Sequence, residues 1–307
     1  MLLSPPLAPS TAVFAFARLP DQLDSMSATS SSALTQRIDP RDIPSGTPIF
    51  TPTRLNDYER CPELWNLRYN LRLKNTPYQP ERQTFDRPRA VGQAVHAVLQ
   101  TCHVRFKREG RFPCNLRELI ERRLPREGYP DPRSDGQQPD WELDVARALR
   151  MVTFRLRTFT GLTRIEAVEK TTFVYIPEHL GWPGFILKTR VDIVLADEEP
   201  GLLETQEYKT GRSEVDWLQT IATRLTIGAT YGDRYPRIRT TIMFLNDHTI
   251  RSWELRGDRL EVRRAWHRLR RLVRAMLADQ DWLPHPSTRC HYCQYYESGC
   301  SLDAPDA

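Results

Sequence analysis

The sequence predicts an α/β domain with a central mixed sheet flanked by helices. Apolar residues recur at helical spacing over 89–108, 141–159 and 258–278. They alternate over strand-length runs between Val168 and Lys209, and a helix-length segment separates these runs from two further strands. No internal repeat is evident.

Residues 1–45 are expected to be a disordered tail, because Ser27–Ala33 is a polar low-complexity tract. Met1–Ala17 has an apolar patch with no basic residue before it, a poor signal peptide, and Met26 offers a second start. Residues 46–307 are then one domain. Thr53 is expected to cap a helix running to Cys61-Pro62, with Leu55, Tyr58 and Trp65 as its apolar stripe. Val91, Val95, Val98 and Cys102 define the next helix, and four prolines and two glycines make Pro125–Pro139 a loop. Trp141, Val145, Leu149, Val152, Leu156 and Phe159 line a third helix. Strands follow at Val168–Ile176, Phe185–Leu195 and Leu202–Lys209, then a helix near 215–230. Strands near 238–245 and 249–255 flank Asn246-Asp247, and Val262, Trp266, Leu269, Val273 and Met276 stripe the last helix.

Lys+Arg 44 against Asp+Glu 39 gives a formal net charge of +5, which fits a polyanionic partner and equally an ordinary solvated surface. No apolar run approaches the roughly 18 residues of a membrane span, so a cytoplasmic chain is expected. No Gly-x-x-x-x-Gly-Lys-Ser/Thr occurs, which excludes a recognisable ATPase motor within the chain.

Strand alternation places Lys188, Arg190 and Asp192 on one face, opposite Leu187, Val191, Ile193 and Leu195. On the next strand Glu207 shares a face with Lys209. If the two strands pair through the turn at Glu199–Gly201, Asp192 and Glu207 converge into a hard-oxygen site for Mg²⁺ or Mn²⁺. Such a site suits phosphodiester hydrolysis, with Lys209 positioning water or neutralising developing charge. Taken alone, patterns this short recur by chance as solvated strand ends.

These motifs, in this order, resemble the RecB-like branch of the PD-(D/E)XK nuclease superfamily. The resemblance rests on Tyr58-Glu59-Arg60-Cys61-Pro62, Gly92-Gln93-Ala94-Val95-His96, Leu187–Asp192 and Glu207-Tyr208-Lys209-Thr210-Gly211, and covers about 53–301. Gln219 matches half of a Gln-x-x-x-Tyr motif, with Thr223 in place of the Tyr, and Thr189 stands near where a Gly is usual. The resemblance implies a restriction-endonuclease-like core and a metal-dependent deoxyribonuclease, an exonuclease ahead of an endonuclease. It implies His96, Asp192 and Glu207 as metal ligands, Lys209 as catalytic, and Gln219 as orienting the metal site or DNA. It also implies DNA repair, recombination or CRISPR-type processing, with a helicase, recombination or CRISPR-adaptation protein as partner.

Six cysteines, several of them clustered, argue for metal binding over a disulfide framework. Cys290-x-x-Cys293 and Cys300, completed by Cys61, would staple the first helix to the tail. Spacing fits zinc and iron–sulfur equally. The layout resembles the AddB nuclease domain and the RecB-like nucleases of CRISPR adaptation, which implies a [4Fe–4S] cluster. Cys102 reads as core and Cys114 as incidental. The arginines from Arg256 to Arg274 could grip phosphate or simply solvate a helix, and Tyr292, Tyr295 and Tyr296 could stack on bases or pack around the cluster. Two other readings stay open: a non-catalytic DNA-binding or scaffolding subunit of a helicase–nuclease complex, and a zinc-stapled nucleic-acid-binding protein.

Overall fold

The structure, a computed structural model, describes residues 36–39, 42–72, 87–130, 140–159, 164–177, 184–197, 199–211, 214–254, 260–287, and 290, 293, 295 and 300. The expected tail over 1–45 falls largely outside them. Within that span, Gln36–Arg37 form strand β1 and pair with the sheet.

The remaining strands are β2 (Ile49–Phe50), β3 (Arg164–Ile176), β4 (Phe185–Ala196), β5 (Leu202–Lys209), β6 (Arg237–Phe244) and β7 (Thr249–Glu254). They form one mixed sheet in the order β1-β3-β4-β5-β6-β7, with β2 also pairing β4. Only β5–β6 and β2–β4 run parallel. A parallel neighbour needs a crossover, and helix α6 (Trp217–Tyr231) supplies it between β5 and β6.

Helices cover both faces, as the alternating pattern predicts. On one side lie α3 (Arg87–Glu109), α4 (Leu116–Arg123) and α5 (Trp141–Arg157), whose Val95, Leu99, Ile120 and Val152 meet Ile193, Leu195 and Tyr208. On the other lie α1 (Pro52–Arg60), α6 and α7 (Leu260–Ala278), whose Leu55, Leu218 and Leu269 meet Leu187 and Val174. A short α2 (Pro62–Trp65) follows α1 directly. The cap of α1 is Thr51, whose hydroxyl accepts from the Arg54 amide; Thr53, expected in that role, lies inside the helix, one residue after Pro52 at its start. The loop expected over Pro125–Pro139 begins within a 3₁₀ turn, Leu124–Glu127, and its residues 131–139 lie outside the described residues.

Strand β4 departs from simple alternation. Leu187 and Val191 pack on the α6 side, whereas Ile193 and Leu195, expected on the same face, pack on the α3 side. The switch falls at Asp192. Its cross-strand neighbour Glu169 lies between the pairs Val168↔Ile193 and Lys170↔Val191 and has φ +52, a left-handed backbone rare for a non-glycine residue. Both strands therefore change faces at one rung. Thr189 is buried, with its hydroxyl 3.1 Å from that of Thr172 and 2.5 Å from that of Thr226, so this departure from glycine ties β3, β4 and α6 together.

His103 of α3 is fully buried among Phe112, Phe159 and Tyr208, and among the described residues neither ring nitrogen has a hydrogen-bond partner. Burial, then the nearby Arg155 charge, push its pKa well down, so the ring is neutral. Removing two unpaired polar atoms while keeping a flat ring should stabilise: His103→Phe is expected to gain about 1 kcal/mol. Calorimetry or denaturant titration checks this, and a clear loss of stability would mean that the imidazole has a partner, such as a buried water.

Candidate active site

Two features of the sheet open a site at its centre. On the edge away from β3, β4 pairs with β2 through Ile186 and Leu187 and with β5 only from Ile193 onward. Strand β5 continues beyond Gln206 beside β6 alone, so Glu207, Tyr208 and Lys209 leave β4 in a fork. Asp192 occupies the crotch of that fork, and its Oδ2 accepts the Tyr208 amide at 2.7 Å, a backbone donor that the β4–β5 ladder no longer uses.

Helix α3 brings His96 to the same point. Its Nδ1 lies 3.3 Å from Asp192 Oδ1. The face switch turns Glu169 toward them, and donor atoms of His96, Glu169 and Asp192 all lie within 4.8 Å of one another. An imidazole with two carboxylates suits a divalent cation such as Mg²⁺ or Mn²⁺. Arg190 forms an ion pair with Glu169.

Glu207 and Lys209 form a second cluster against α6. Asp216 caps that helix, accepting from the Leu218 and Gln219 amides, and so fixes Gln219 in the first turn. Gln219 Nε2 donates to Glu207 Oε1 at 2.6 Å, and Lys209 Nζ donates to Gln219 Oε1 at 2.7 Å and to Glu207 Oε1 at 3.3 Å. Asp216 is itself held by Asn56 of α1 at 2.8 Å.

Charge couples the clusters. Burial, then the Asp192 charge, raise the Glu207 carboxyl to about 7. Burial and Asp192 likewise push Glu169 up. Burial disfavours the His96 imidazolium, but its hydrogen bond to Asp192 and the charges of Asp192, Glu207 and Glu169 outweigh this and raise its pKa. Acidic groups crowded this closely would be neutralised by a divalent cation among them.

All the acidic-site residues singled out in the sequence thus converge, though not in the grouping expected. Asp192 and His96 stand with Glu169, while Glu207 stands with Lys209 and Gln219. Glu169 escaped sequence reasoning because no motif marks it. Only the register with β4 places it opposite Asp192, and the expected alternation gave no register. Thr223, where the motif has a tyrosine, is buried in α6.

The four cysteines also meet. Cys61, Cys290, Cys293 and Cys300 line one cavity with Leu64, Leu67 and Tyr295. Cys61 Sγ accepts the Leu64 amide at 3.5 Å and Cys290 Sγ the Ser287 amide at 3.3 Å. Tyr295 is buried there against Leu64 and Leu67, so it packs and does not offer a stacking face; Tyr292 and Tyr296 lie outside the described residues. Cys102 is buried, its thiol pushed up to about 12 by burial, and Cys114 is exposed. On α7, Arg268 and Arg271 bind Glu59, while Arg256 and Arg259 lie outside the described residues.

No curated protein matches the chain. The crystal structure of SSO0001 aligns with 86% of this chain and 91% of its own at 12% identity, with a TM-score of 0.36, too low to carry an argument. The model of the PD-(D/E)XK nuclease superfamily matches residues 49–298. That span holds the whole sheet except β1, both acidic clusters and three of the four cysteines, and the chain belongs to that superfamily of metal-dependent nucleases.

Proposed function

We propose that the chain is a DNA exonuclease dependent on Mg²⁺ or Mn²⁺, with His96, Asp192 and Glu169 holding the cation and Glu207 beside it. The observation that carries this reading is the convergence of those three donors within 4.8 Å at the fork. A bound cation would supply Lewis acidity to the scissile phosphate and an acidified water. The protein's own groups do the rest. The Tyr208 amide orients the Asp192 carboxylate. Gln219 and Glu207 hold the Lys209 ammonium, which positions the attacking water and offsets charge developing on the phosphate.

A structural [4Fe–4S] cluster on Cys61, Cys290, Cys293 and Cys300 belongs to the same proposal. All four cysteines line one cavity, and the amide donors to Cys61 and Cys290 suit thiolates. Work in DNA repair, recombination or CRISPR-type processing beside a helicase or adaptation protein completes the reading. Among the described residues no helix is long and apolar enough to cross a membrane.

End-labelled single- and double-stranded DNA, incubated with anaerobically purified protein and Mg²⁺ or Mn²⁺, tests the reaction. Asp192→Asn and Lys209→Ala are each expected to lower the rate at least ~100-fold without unfolding the protein. Activity persisting in pure Asp192→Asn protein would sink the site. A ladder of internal cuts would overturn the exonuclease mode.

Glu169→Gln is expected to raise the Mn²⁺ concentration for half-maximal activity about tenfold or more. An unchanged metal titration would remove Glu169 from the site.

Cys293→Ser is expected to lose iron and sulfide and to melt about 10 °C lower, because the staple closes a loop of more than two hundred residues. Zinc in stoichiometric amount in the native protein would replace the cluster by a Cys₄ zinc site.

A further inference from the structure

We infer that Asn56, in the middle of α1, is a positioning residue for Lys209, so that the lysine is set for catalysis only while α1 is seated on α6. This rests on the nuclease reading, which gives Lys209 its task.

The strand fixes the backbone of Lys209 but not its ammonium. The residue pairs with Phe244 of β6, and its carbonyl accepts the Leu245 amide at 2.8 Å. Its side chain is a long flexible stem. Among the described residues the ammonium is held by Glu207 and Gln219. Glu207 shares the strand with Lys209, whereas Gln219 comes from another element and also donates to Glu207 at 2.6 Å. A shift of Gln219 therefore moves both members of the pair.

Gln219 lies in the first turn of α6, where backbone amides have no partner within the helix. Asp216 Oδ1 accepts two of them, Leu218 at 3.0 Å and Gln219 at 3.2 Å. A capping carboxylate can turn about its own side-chain bonds unless its other oxygen is held. Asn56 Nδ2 holds it, donating to Asp216 Oδ2 at 2.8 Å. Asn56 is fixed in turn by Arg268 of α7, whose Nη2 donates to its Oδ1 at 2.9 Å and whose Nε donates to Glu59 at 2.8 Å. Beside these bonds Leu55 and Leu218, both fully buried, pack in one apolar cluster. The position calls for an amide, because it donates to a carboxylate on one side and accepts from a guanidinium on the other. A carboxylate there would meet Asp216 as a like charge. A misplacement of about 1 Å at a reacting group can cost on the order of 100-fold, so a loosened Gln219 is felt in the chemical step.

Swapping the pair tests this on the full chain. Asn56→Asp sets two carboxylates against each other. Asn56→Asp/Asp216→Asn rebuilds the bond in reverse: the amide at 216 keeps an oxygen for the cap and donates to the carboxylate at 56, which still accepts from Arg268. Asn56→Asp is expected to lower kcat about 10-fold or more with KM for DNA within about twofold, and the swap to restore kcat to within about threefold of wild type. Hydrogen exchange of the Leu218 and Gln219 amides should quicken about 10-fold in Asn56→Asp and slow again in the swap. Tyr58→Phe is the structural control. It removes the α1 bond to Asp279 at 2.8 Å and leaves the bond to Asp216, so kcat and these amides should stay within about twofold of wild type. Unchanged kcat in Asn56→Asp, an equal loss in Tyr58→Phe, or no recovery in a folded swap would overturn the inference. Should the swap not fold, Asn56→Ala set against Tyr58→Phe decides by the same two readings. Hydrogen exchange needs no cleavage. Amides that respond as expected in a protein that never cuts would keep the link from Asn56 to the α6 cap and remove the nuclease reading; a protein that cuts equally well with and without Asn56→Asp would do the reverse.

Discussion

The site depends on one rung of the sheet, where Glu169 and Asp192 face each other across β3 and β4 and both strands change faces. Uninterrupted alternation would point Asp192 to one side and Ile193 to the other, as the sequence leads one to expect. The switch instead places Asp192 beside His96 while Ile193 still reaches the same hydrophobic layer. Its cost is visible in the left-handed backbone of Glu169, on the order of 1 kcal/mol or more for a residue with a Cβ. Two carboxylates on neighbouring strands also repel. Arg190 against Glu169, and the Tyr208 amide and His96 against Asp192, offset that repulsion until a cation can.

The second half of the site is set from the opposite layer. Arg268 of α7 donates to Asn56 of α1, Asn56 donates to Asp216, Asp216 caps α6, and Gln219 in its first turn holds Glu207 and Lys209. Lys209 is therefore aligned in part through Asn56, which lies 160 positions from the Asp216 it holds. The packing of α1 against α7 bears on the geometry of the Glu207–Lys209–Gln219 cluster as well as on stability. Trp65 stacked on Trp282, with Tyr58 edge-on to both, joins the same ends of the chain that the cysteines would staple. The first helix is thus held by aromatic packing, and the proposed cluster would hold it a second time through Cys61.

Much of this was legible in the chain. Periodicity located the long helices and the central strands because each element has one buried face, and the Glu-x-Lys pair and Asp192 stand out as charges on strands. The parts that were not legible are those that a single segment does not encode. Glu169 needs a cross-strand register, and the face switch at Asp192 needs the left-handed residue opposite, which no glycine announces. The cap of α1 moved from Thr53 to Thr51 because Pro52 belongs at the start of a helix. Thr189 looked like a lost glycine until Thr172 and Thr226 supplied its partners. Strand β1 is two residues long, too short to leave a pattern.

The electrostatics of the site follow from the same geometry. Asp192, Glu169 and Glu207 crowd into a space where burial already disfavours charge, and the protein answers in three ways. Glu207 holds its proton up to about pH 7, the His96 imidazolium is favoured, and Arg155 lies buried behind Tyr208 with its Nε 3.0 Å from the phenol oxygen. Arg155 is 1% exposed and, among the described residues, has no carboxylate in direct contact, so its charge is felt with little screening. Such an arrangement holds the acidic residues together and gives the fork a negative potential suited to a divalent cation. The positive charge that the core buries and the negative charge that the fork exposes are two sides of one device, with Tyr208 between them. Its hydroxyl faces the arginine, and its amide faces the aspartate.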